Sequence, residues 1–317
     1  MARVAAIDCG TNSIRLLVAD VTVRDDGTSW LRDVHREMRI VRLGQGVDAT
    51  GRLAPEALDR TRAALVDYAR TAARKGVERA RMVATSATRD ASNRADFFDM
   101  TTEVLGVPAE VISGDEEAAL SFAGAVGDLD PRDGPFLVMD VGGGSTELVF
   151  GTWDGGKADV LASRSVNVGC VRLTERCLHS DPPTAAEAQD AAATAAAVLA
   201  DAFAVVPVER TRTFIGVAGT VTTMSAVHLA LPEYDPDVLH LSRLPMAAVD
   251  DVTARLVAMS HEQRAALGPM HPGRVDVIAG GAIVVRTVAH EVAARSGVGE
   301  LVVSEHDILD GIALSLA

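Results

Sequence analysis

Aromatic residues are scarce in this 317-residue chain, only 3% of the total, which excludes the stacking platforms used to bind single-stranded nucleic acid. Lysine is nearly missing: it stands only at Lys75 and Lys157, so almost every cation is arginine, whose guanidinium forks onto phosphate oxygens. A high-GC genome produces the same bias, so the arginines by themselves are no evidence of a ligand. Cations are outnumbered, the net charge is −14, and the surface as a whole should repel nucleic acid and acidic membranes. Any anionic substrate must then be gripped locally. The three cysteines, Cys9, Cys170 and Cys177, form an odd set without metal-ligand spacing and without a secretory signal before them, which predicts reduced thiols in a cytoplasmic protein. The eight histidines lack any His-Glu-x-x-His spacing and read as surface or structural residues, with His306-Asp307 a lone dipeptide in a terminal helix. The longest uncharged run, residues 214–232, is nearly long enough to span a bilayer. Its glycines, threonines, serine and histidine suit a strand, a loop and a helix better, so no transmembrane segment is expected. There is no low-complexity tail, and with 48% hydrophobic and 23% charged residues the chain is long enough for two globular domains.

What is present centres on Asp140-Val-Gly-Gly-Gly-Ser-Thr-Glu147. Apolar residues precede and follow it, so it reads as strand, tight loop, strand. The glycines let backbone N–H groups turn into one concavity that suits phosphate, and Ser145 adds a hydroxyl. Asp140 and Glu147 would repel a bare phosphate, and they make sense if a divalent cation or a catalytic water sits between them and it. The stretch Asp8-Cys-Gly-Thr-Asn-Ser-Ile-Arg-Leu-Leu-Val18 aligns with residues 140–150 without a gap, sharing Asp, Gly, Ser and Leu at the same offsets. An offset of 132 residues is too long for a solenoid repeat, so two similar domains are implied, each offering one phosphate loop to a cleft between them.

The order of elements restarts accordingly. Strands are expected at 3–8, 13–23 and 30–41, then a helix at 53–75 with Pro55 in its first turn and Gly76 as its stop. A strand at 81–85, a helix at 92–105 capped by Ser92, a strand at 109–112 and a helix at 115–126 complete the first half. Residues 128–135 are a charged connector rich in turn formers. Three strands follow at 136–140, 145–152 and 160–166, then an alanine-rich helix at 184–203 capped by Thr184 and a strand at 213–217 ending in Gly216-Val-Ala-Gly-Thr220. Helices at 221–231, 246–259, 261–267 and 274–292, a strand at 301–304 and a closing helix at 305–316 finish the chain. Gly280-Gly281 lies inside the helix beginning at residue 274, where backbone or ligand can approach closely. No helix follows the first glycine loop and no Gly-Lys-Ser/Thr is present, which excludes a P-loop and a dinucleotide fold.

Two Asp-x-Gly hairpins, a third glycine-rich turn and two restarted mixed folds describe an α/β protein made of two duplicated ribonuclease H-like domains, the actin-like ATPase/sugar kinase superfold. The expected domains are 1–127, with the closing helix 305–317 packing on it, and 128–304. Within that superfold the chain resembles the exopolyphosphatase/guanosine pentaphosphatase (Ppx/GppA) family, in a short two-domain form. The stretches that carry the resemblance are Asp8-Cys-Gly-Thr-Asn-Ser13, Ala84-Thr-Ser-Ala-Thr-Arg89 through Asn93, Ile112-Ser-Gly-Asp-Glu-Glu-Ala118, Asp140 to Glu147, Gly169-Cys-Val-Arg-Leu173 and Gly216 to Thr220.

The resemblance implies hydrolysis of the terminal phosphate of inorganic polyphosphate, with Mg²⁺ (or Mn²⁺) as the cofactor. A glutamate of the Ser-Gly-x-Glu-Glu-Ala motif is the implied general base, Glu117 in preference to Glu116, on the family pattern alone. Asp8 and Asp140 would hold the metal directly or through water, and Glu147 would orient the metal shell or the attacking water. Gly10, Thr11, Asn12, Ser13, Gly142, Gly143, Gly144 and Ser145 would cradle phosphates, as would Gly219 and Thr220. Arg89 and Arg172 could clamp phosphate oxygens. Asn93 is expected to fix its loop by hydrogen bonds, and Cys9 to be a small core residue.

Two departures stand out. Longer members of the family carry extra C-terminal helical domains, and this chain stops where they would begin, so processive digestion of long polyphosphate would need a homodimer. Asp310 stands where the family pattern commonly has arginine, so a contact there should differ. Competing readings are a guanosine pentaphosphate 5′-phosphohydrolase, an ATP-dependent kinase, and a non-catalytic sensor that binds polyphosphate or an alarmone.

Overall fold

The computed structural model describes residues 2–24 and 28–317; the first residue of the expected N-terminal domain lies outside the described residues. The chain divides into two compact units, one of residues 1–127, 155–157 and 307–317, the other of residues 128–154 and 158–306. Each is an α/β unit built on a mixed sheet flanked by helices.

The first unit's sheet takes β1 (Ala2–Cys9), β2 (Ser13–Val23), β3 (Ser29–Ile40), β4 (Arg79–Ala84) and β5 (Glu110–Val111) in the spatial order β3-β2-β1-β4-β5. Successive residues of a strand point to opposite faces, and both faces of β1 are covered, which is why its residues 4–7 are an unbroken apolar run. Ala5, Ile7 and Cys9 face a core containing Leu65 and Tyr68 of the helix Pro55–Lys75 and Phe97 of the helix Arg94–Leu105. Val4 and Ala6 face a second core with Ile308, Leu309 and Ile312 of the C-terminal helix Ile308–Leu314. That helix crosses Gly114–Val126 at glycines on both sides: a Cβ on Gly124 would lie 1.9 Å from the Asp307 carbonyl oxygen, and one on Gly311 2.0 Å from that of Leu120.

The second unit repeats the plan. β6 (Phe136–Val141), β7 (Thr146–Trp153), β8 (Ala158–Val166), β9 (Thr213–Val217), β10 (Arg243–Pro245) and β11 (Glu300–Val303) lie in the order β10-β11-β9-β6-β7-β8. The antiparallel hairpin β6–β7 with parallel β9 beside it matches the hairpin β1–β2 with parallel β4. The helix Ala185–Val205 is long and apolar enough by length and composition to cross a membrane. Its stripe Ala191, Ala195, Leu199 and Ala202 is buried in the unit's core, and Thr184 and Glu187 form a capping box at its start, as expected of a helix in a globular unit.

Several expected elements begin or end elsewhere, each for a local reason. The helix foreseen at 92–105 starts at Arg94, because the Ser92 hydroxyl and N–H both turn to the Gly51 carbonyl. Asn93 reaches Leu53 with both ends of its amide. The helix foreseen at 274–292 is two pieces, a 3₁₀ turn Pro272–Arg274 and a helix Ile278–Ser296. The closing helix is confined to Ile308–Leu314, because Asp307 caps it and Ser304 ties down His306 first. Short helices at Ser86–Asp90 and Cys170–Cys177 were not foreseen, since neither is long enough to show a helical period.

Candidate active site

The first glycine loop joins β1 to β2. Gly10 N–H closes it on the Ser13 carbonyl at 2.9 Å. The Thr11 carbonyl accepts from Gly44 N–H at 2.8 Å, and the Asn12 carbonyl from Val41 and Arg42 at 3.0 and 2.8 Å. Since a peptide unit is planar with its C=O and N–H opposed, a Thr11 carbonyl turned into the protein aims the Asn12 N–H the other way, the orientation of an anion nest. Thr11 Oγ1 meets Ser86 Oγ at 2.9 Å, which fastens the loop to the helix Ser86–Asp90.

Asp8 ends the strand before this loop and is buried. Its ladder partner is Arg15, whose Nε and Nη2 donate to Asp8 Oδ2 at 3.0 and 2.6 Å. Arg15 Nη1 also pairs with Asp307. Burial raises the Asp8 carboxyl above its ordinary range, an effect that the Arg15 charge and hydrogen bonds only partly offset. Burial likewise pushes up Asp307, but there Arg15, the Leu309 N–H and Arg36 prevail and hold it below the usual range. Asp310, the residue that departs from the family pattern, pairs with Arg36 and closes the cap on Asp307 N–H. Cys9 is a buried core thiol whose pKa is raised by burial and then by the Asp8 charge.

The two adjacent glutamates separate in the structure. Ser113 caps the helix Gly114–Val126 by accepting from Glu116 N–H. Glu117 is 8% exposed and takes Arg89 Nη1 at 3.0 Å on Oε2, and the same Arg89 nitrogen donates to the Ile112 carbonyl at 2.9 Å. Glu116 is exposed and pairs with Arg81, which also holds Glu110. A helical step of about 100° sends the two carboxylates to different surroundings. Arg89, foreseen as a phosphate clamp, holds Glu117 in this structure.

The second glycine loop joins β6 to β7 and closes in the same way, Gly142 N–H on the Ser145 carbonyl at 3.1 Å. Its carbonyls are again turned inward. Gly142 O accepts from Cys170 N–H at 2.9 Å, and Gly143 O from Val171 and Arg172 N–H at 2.9 and 3.1 Å, all in the first turn of the helix Cys170–Cys177. The N–H groups of Gly143 and Gly144 are thereby aimed away from that helix. Arg172 thus supports the loop through its backbone, and its side chain is half-buried.

The hairpins differ at one facing pair. Asp8 stands opposite Arg15, whereas Asp140 stands opposite Glu147, and these two carboxylates are 7% and 1% exposed. Directly opposed ladder residues share a face, and like charges there are unfavourable. Ser165 Oγ donates to Glu147 Oε1 at 2.6 Å and fixes one side of that carboxylate. Two buried carboxylates on one face beside a phosphate-type loop are a donor set that fits a hard divalent cation. Asp8 fits one less well, because Arg15 already occupies its Oδ2.

Gly219 and Thr220 lie past the end of β9, after Ala218, which takes the left-handed conformation at φ 67°. The Arg274 guanidinium lies against Gly219, where a Cβ would meet it at 2.2 Å, and Arg274 Nη1 donates to Thr223 Oγ1. Thr220 packs on Gly281, and Gly280 packs on Thr174 and Cys170, so the foreseen close approach at this glycine pair is made by the protein's own helices. Burial pushes the Cys170 thiol up to about 11 against the pull of Arg274. Asp307 and Arg274 carried no sequence signal of their own, because their partners lie far away in the chain, and Arg15 stood in the first loop's stretch without a role. Gly169 stood in a matching stretch without a role; a Cβ there would sit 2.6 Å from Gly142 O and from Gly143 C and O.

The sequence profile described as the Ppx/GppA phosphatase family matches residues 21–316. Exopolyphosphatase 2 of Mycobacterium tuberculosis (strain ATCC 25618 / H37Rv) is 58% identical over 322 residues, covering 100% of this chain and 99% of that protein. The crystal structure of an exopolyphosphatase-like protein superposes with a TM-score of 0.92 at 43% identity, covering 99% of this chain and 98% of that one. A Ppx/GppA family member from Aquifex aeolicus superposes with a TM-score of 0.79 at 30% identity, covering 99% and 97%.

Proposed function

The chain belongs to the Ppx/GppA phosphatase family, and we propose that it is an exopolyphosphatase, removing the terminal phosphate of inorganic polyphosphate by attack of water. The observation that carries the reading is the facing Asp140–Glu147 pair, buried beside a glycine loop whose amides are turned outward. A sensor that only binds polyanions gains nothing from two carboxylates at that place.

In this reading Glu117 accepts the proton of the attacking water, and Arg89 keeps its carboxylate oriented. The water oxygen forms the new P–O bond as the bridging P–O bond breaks, releasing orthophosphate and a chain shorter by one phosphate. Within its own unit each loop offers donors for non-bridging phosphate oxygens, the Asn12 amide and Ser13 hydroxyl in one and the Gly143 and Gly144 amides and Ser145 hydroxyl in the other, so positioning and charge neutralisation carry most of the rate enhancement. Asp140 and Glu147 would hold Mg²⁺ (or Mn²⁺), which supplies charge neutralisation on the phosphate oxygens when bound. Buried cysteines, all of them free, support a cytoplasmic location, and a homodimer belongs to the same proposal, to be checked by light scattering.

The test is phosphate release from polyphosphates of several lengths, guanosine pentaphosphate and ATP, with and without Mg²⁺, by wild type and Glu147→Gln. Polyphosphate is expected to be the best substrate, with chelator abolishing the reaction and Glu147→Gln raising the Mg²⁺ requirement. Preference for guanosine pentaphosphate would reassign the substrate. Phosphate transfer from ATP to an acceptor, with no hydrolysis of polyphosphate, would make the protein a kinase.

A further inference from the structure

Away from the glycine loops, Asp128, His240 and His306 bring one ligand atom each to within 4.8 Å of one another. His306 Nδ1 meets Asp128 Oδ2 at 2.6 Å, His240 Nε2 meets the same oxygen at 3.3 Å, and the two imidazole rings are 4.5 Å apart. Strand pairing explains how residues so distant in sequence meet. β10 begins soon after His240 and β11 ends shortly before His306, and the two strands are antiparallel neighbours. Both histidines are held by their backbones: Leu241 N–H bonds the Val303 carbonyl at 2.7 Å, and Ser304 Oγ donates to the His306 carbonyl and accepts its N–H. Asp128 is the first residue of the second unit and His306 the last, so the cluster joins the two ends of that unit's chain.

The geometry points to a binding site for a borderline transition-metal ion, Zn²⁺ or a congener, made by Asp128 Oδ2, His240 Nε2 and His306 Nδ1. Two imidazole nitrogens and one carboxylate oxygen are the ligand set of three-residue zinc sites, and a fourth position stays open to water. They are a poor set for Mg²⁺, which takes oxygen ligands, so this site is separate in chemistry from the Asp140–Glu147 pair. With metal–ligand bonds of about 2.0–2.1 Å, neighbouring ligand atoms of a tetrahedral site lie about 3.3 Å apart. The His240–Asp128 separation of 3.3 Å already matches, and His306 must withdraw from its hydrogen bond of 2.6 Å. Side-chain exposures of 49% for Asp128, 23% for His240 and 35% for His306 leave a path for the ion. One contact opposes binding: Glu305 N–H faces His240 Nδ1 at 3.3 Å, and when Nε2 takes a metal, Nδ1 carries the proton and that contact opens. Binding is therefore weaker than at a closed structural site, whose ligands need no such rearrangement. None of this depends on the proposed activity.

The experiment titrates the chelator-stripped full chain with Zn²⁺ by calorimetry in millimolar Mg²⁺, and with Co²⁺ by visible absorption. The expected result is one Zn²⁺ per chain, d–d bands typical of four or five ligands including nitrogen, and binding weakened at least about tenfold in each of Asp128→Asn and His306→Gln. Circular dichroism confirms that the variants are folded, and the Co²⁺ spectrum of wild type needs no variant. Absence of stoichiometric Zn²⁺ binding, a featureless Co²⁺ titration, or binding unchanged in both variants overturns the assignment.

Discussion

Replacing Gly169 with alanine adds one methyl group at the point where the helix Cys170–Cys177 meets the second glycine loop. The Gly169 backbone is extended, with φ −146° and ψ 178°, so alanine adopts it without strain and the whole effect is steric. The new Cβ would lie 2.6 Å from Gly142 O and Gly143 C and O, all backbone atoms that cannot rotate away. Ordinary contact requires about 3.5–4.0 Å, so loop and helix must separate by about 1 Å. That shift stretches the three bonds, of 2.9, 2.9 and 3.1 Å, by which Cys170, Val171 and Arg172 orient the loop carbonyls. Overpacking of this kind costs about 1–3 kcal/mol, whereas a 1 Å misplacement of phosphate-positioning groups costs about 100-fold in rate. Gly169→Ala should therefore stay folded by circular dichroism and thermal melting yet lose about two orders of magnitude in polyphosphate hydrolysis. Gly299→Ala is the control, since a Cβ there meets nothing within 4 Å, and it should leave activity unchanged. If Gly169→Ala hydrolyses polyphosphate within about twofold of wild type, the loop does not position substrate and the reasoning fails.

Glu117→Gln should lower kcat by about 10²–10⁴-fold, while Glu116→Gln loses only its surface pair with Arg81 and should stay near wild type; the reverse order in steady-state assays would exchange their roles. Arg15→Met leaves Asp8 and Asp307 buried without their shared cation and should cost about 3–5 kcal/mol in urea unfolding, and a change under 1 kcal/mol would show that the network contributes little. The Glu187 carboxyl is held down to about 2 by the Thr184 N–H first, working against desolvation, and by the Thr184 hydroxyl, His179 N–H and Ser180 hydroxyl. A lowered acid stabilises the fold above its unfolded pKa of about 4.3 and loses that contribution as pH falls toward 2. The gap in melting midpoint between wild type and Glu187→Gln should accordingly be full at pH 6 and shrink below pH 4; a gap independent of pH would contradict the cap.

Local chemistry made much of this protein legible in its sequence. Apolar runs marked the central strands, and the strand at 213–217 matches the structure at both ends. The repeated Asp-x-Gly loop revealed the duplication, because a glycine turn between two apolar strands is encoded within about ten residues. Thr184 was legible as the N-cap of its helix, and the structure adds Glu187 to make the cap a capping box. The short helices Ser86–Asp90 and Cys170–Cys177 escaped, and with them the supports of both loops, since they owe their place to tertiary packing rather than to a period of their own.

What only the tertiary structure decided is the electrostatic character of each loop. The residues Asp8, Arg15, Asp140 and Glu147 could all be read in the chain, but their opposition could not, because it depends on strand register. Register places an arginine across from one aspartate and a glutamate across from the other, so two loops of one design differ in charge. The same holds for Glu116 and Glu117, adjacent in sequence and separated by one helical step into an exposed and a buried setting. It holds most of all for Asp128, His240 and His306, which no spacing rule could connect until β10 and β11 paired. Sequence by itself determined where the two glycine loops fall and how the two halves are built, because backbone turns and apolar runs are local. Tertiary structure decided which charges meet, because electrostatic partnership falls off with distance in space and is indifferent to distance along the chain.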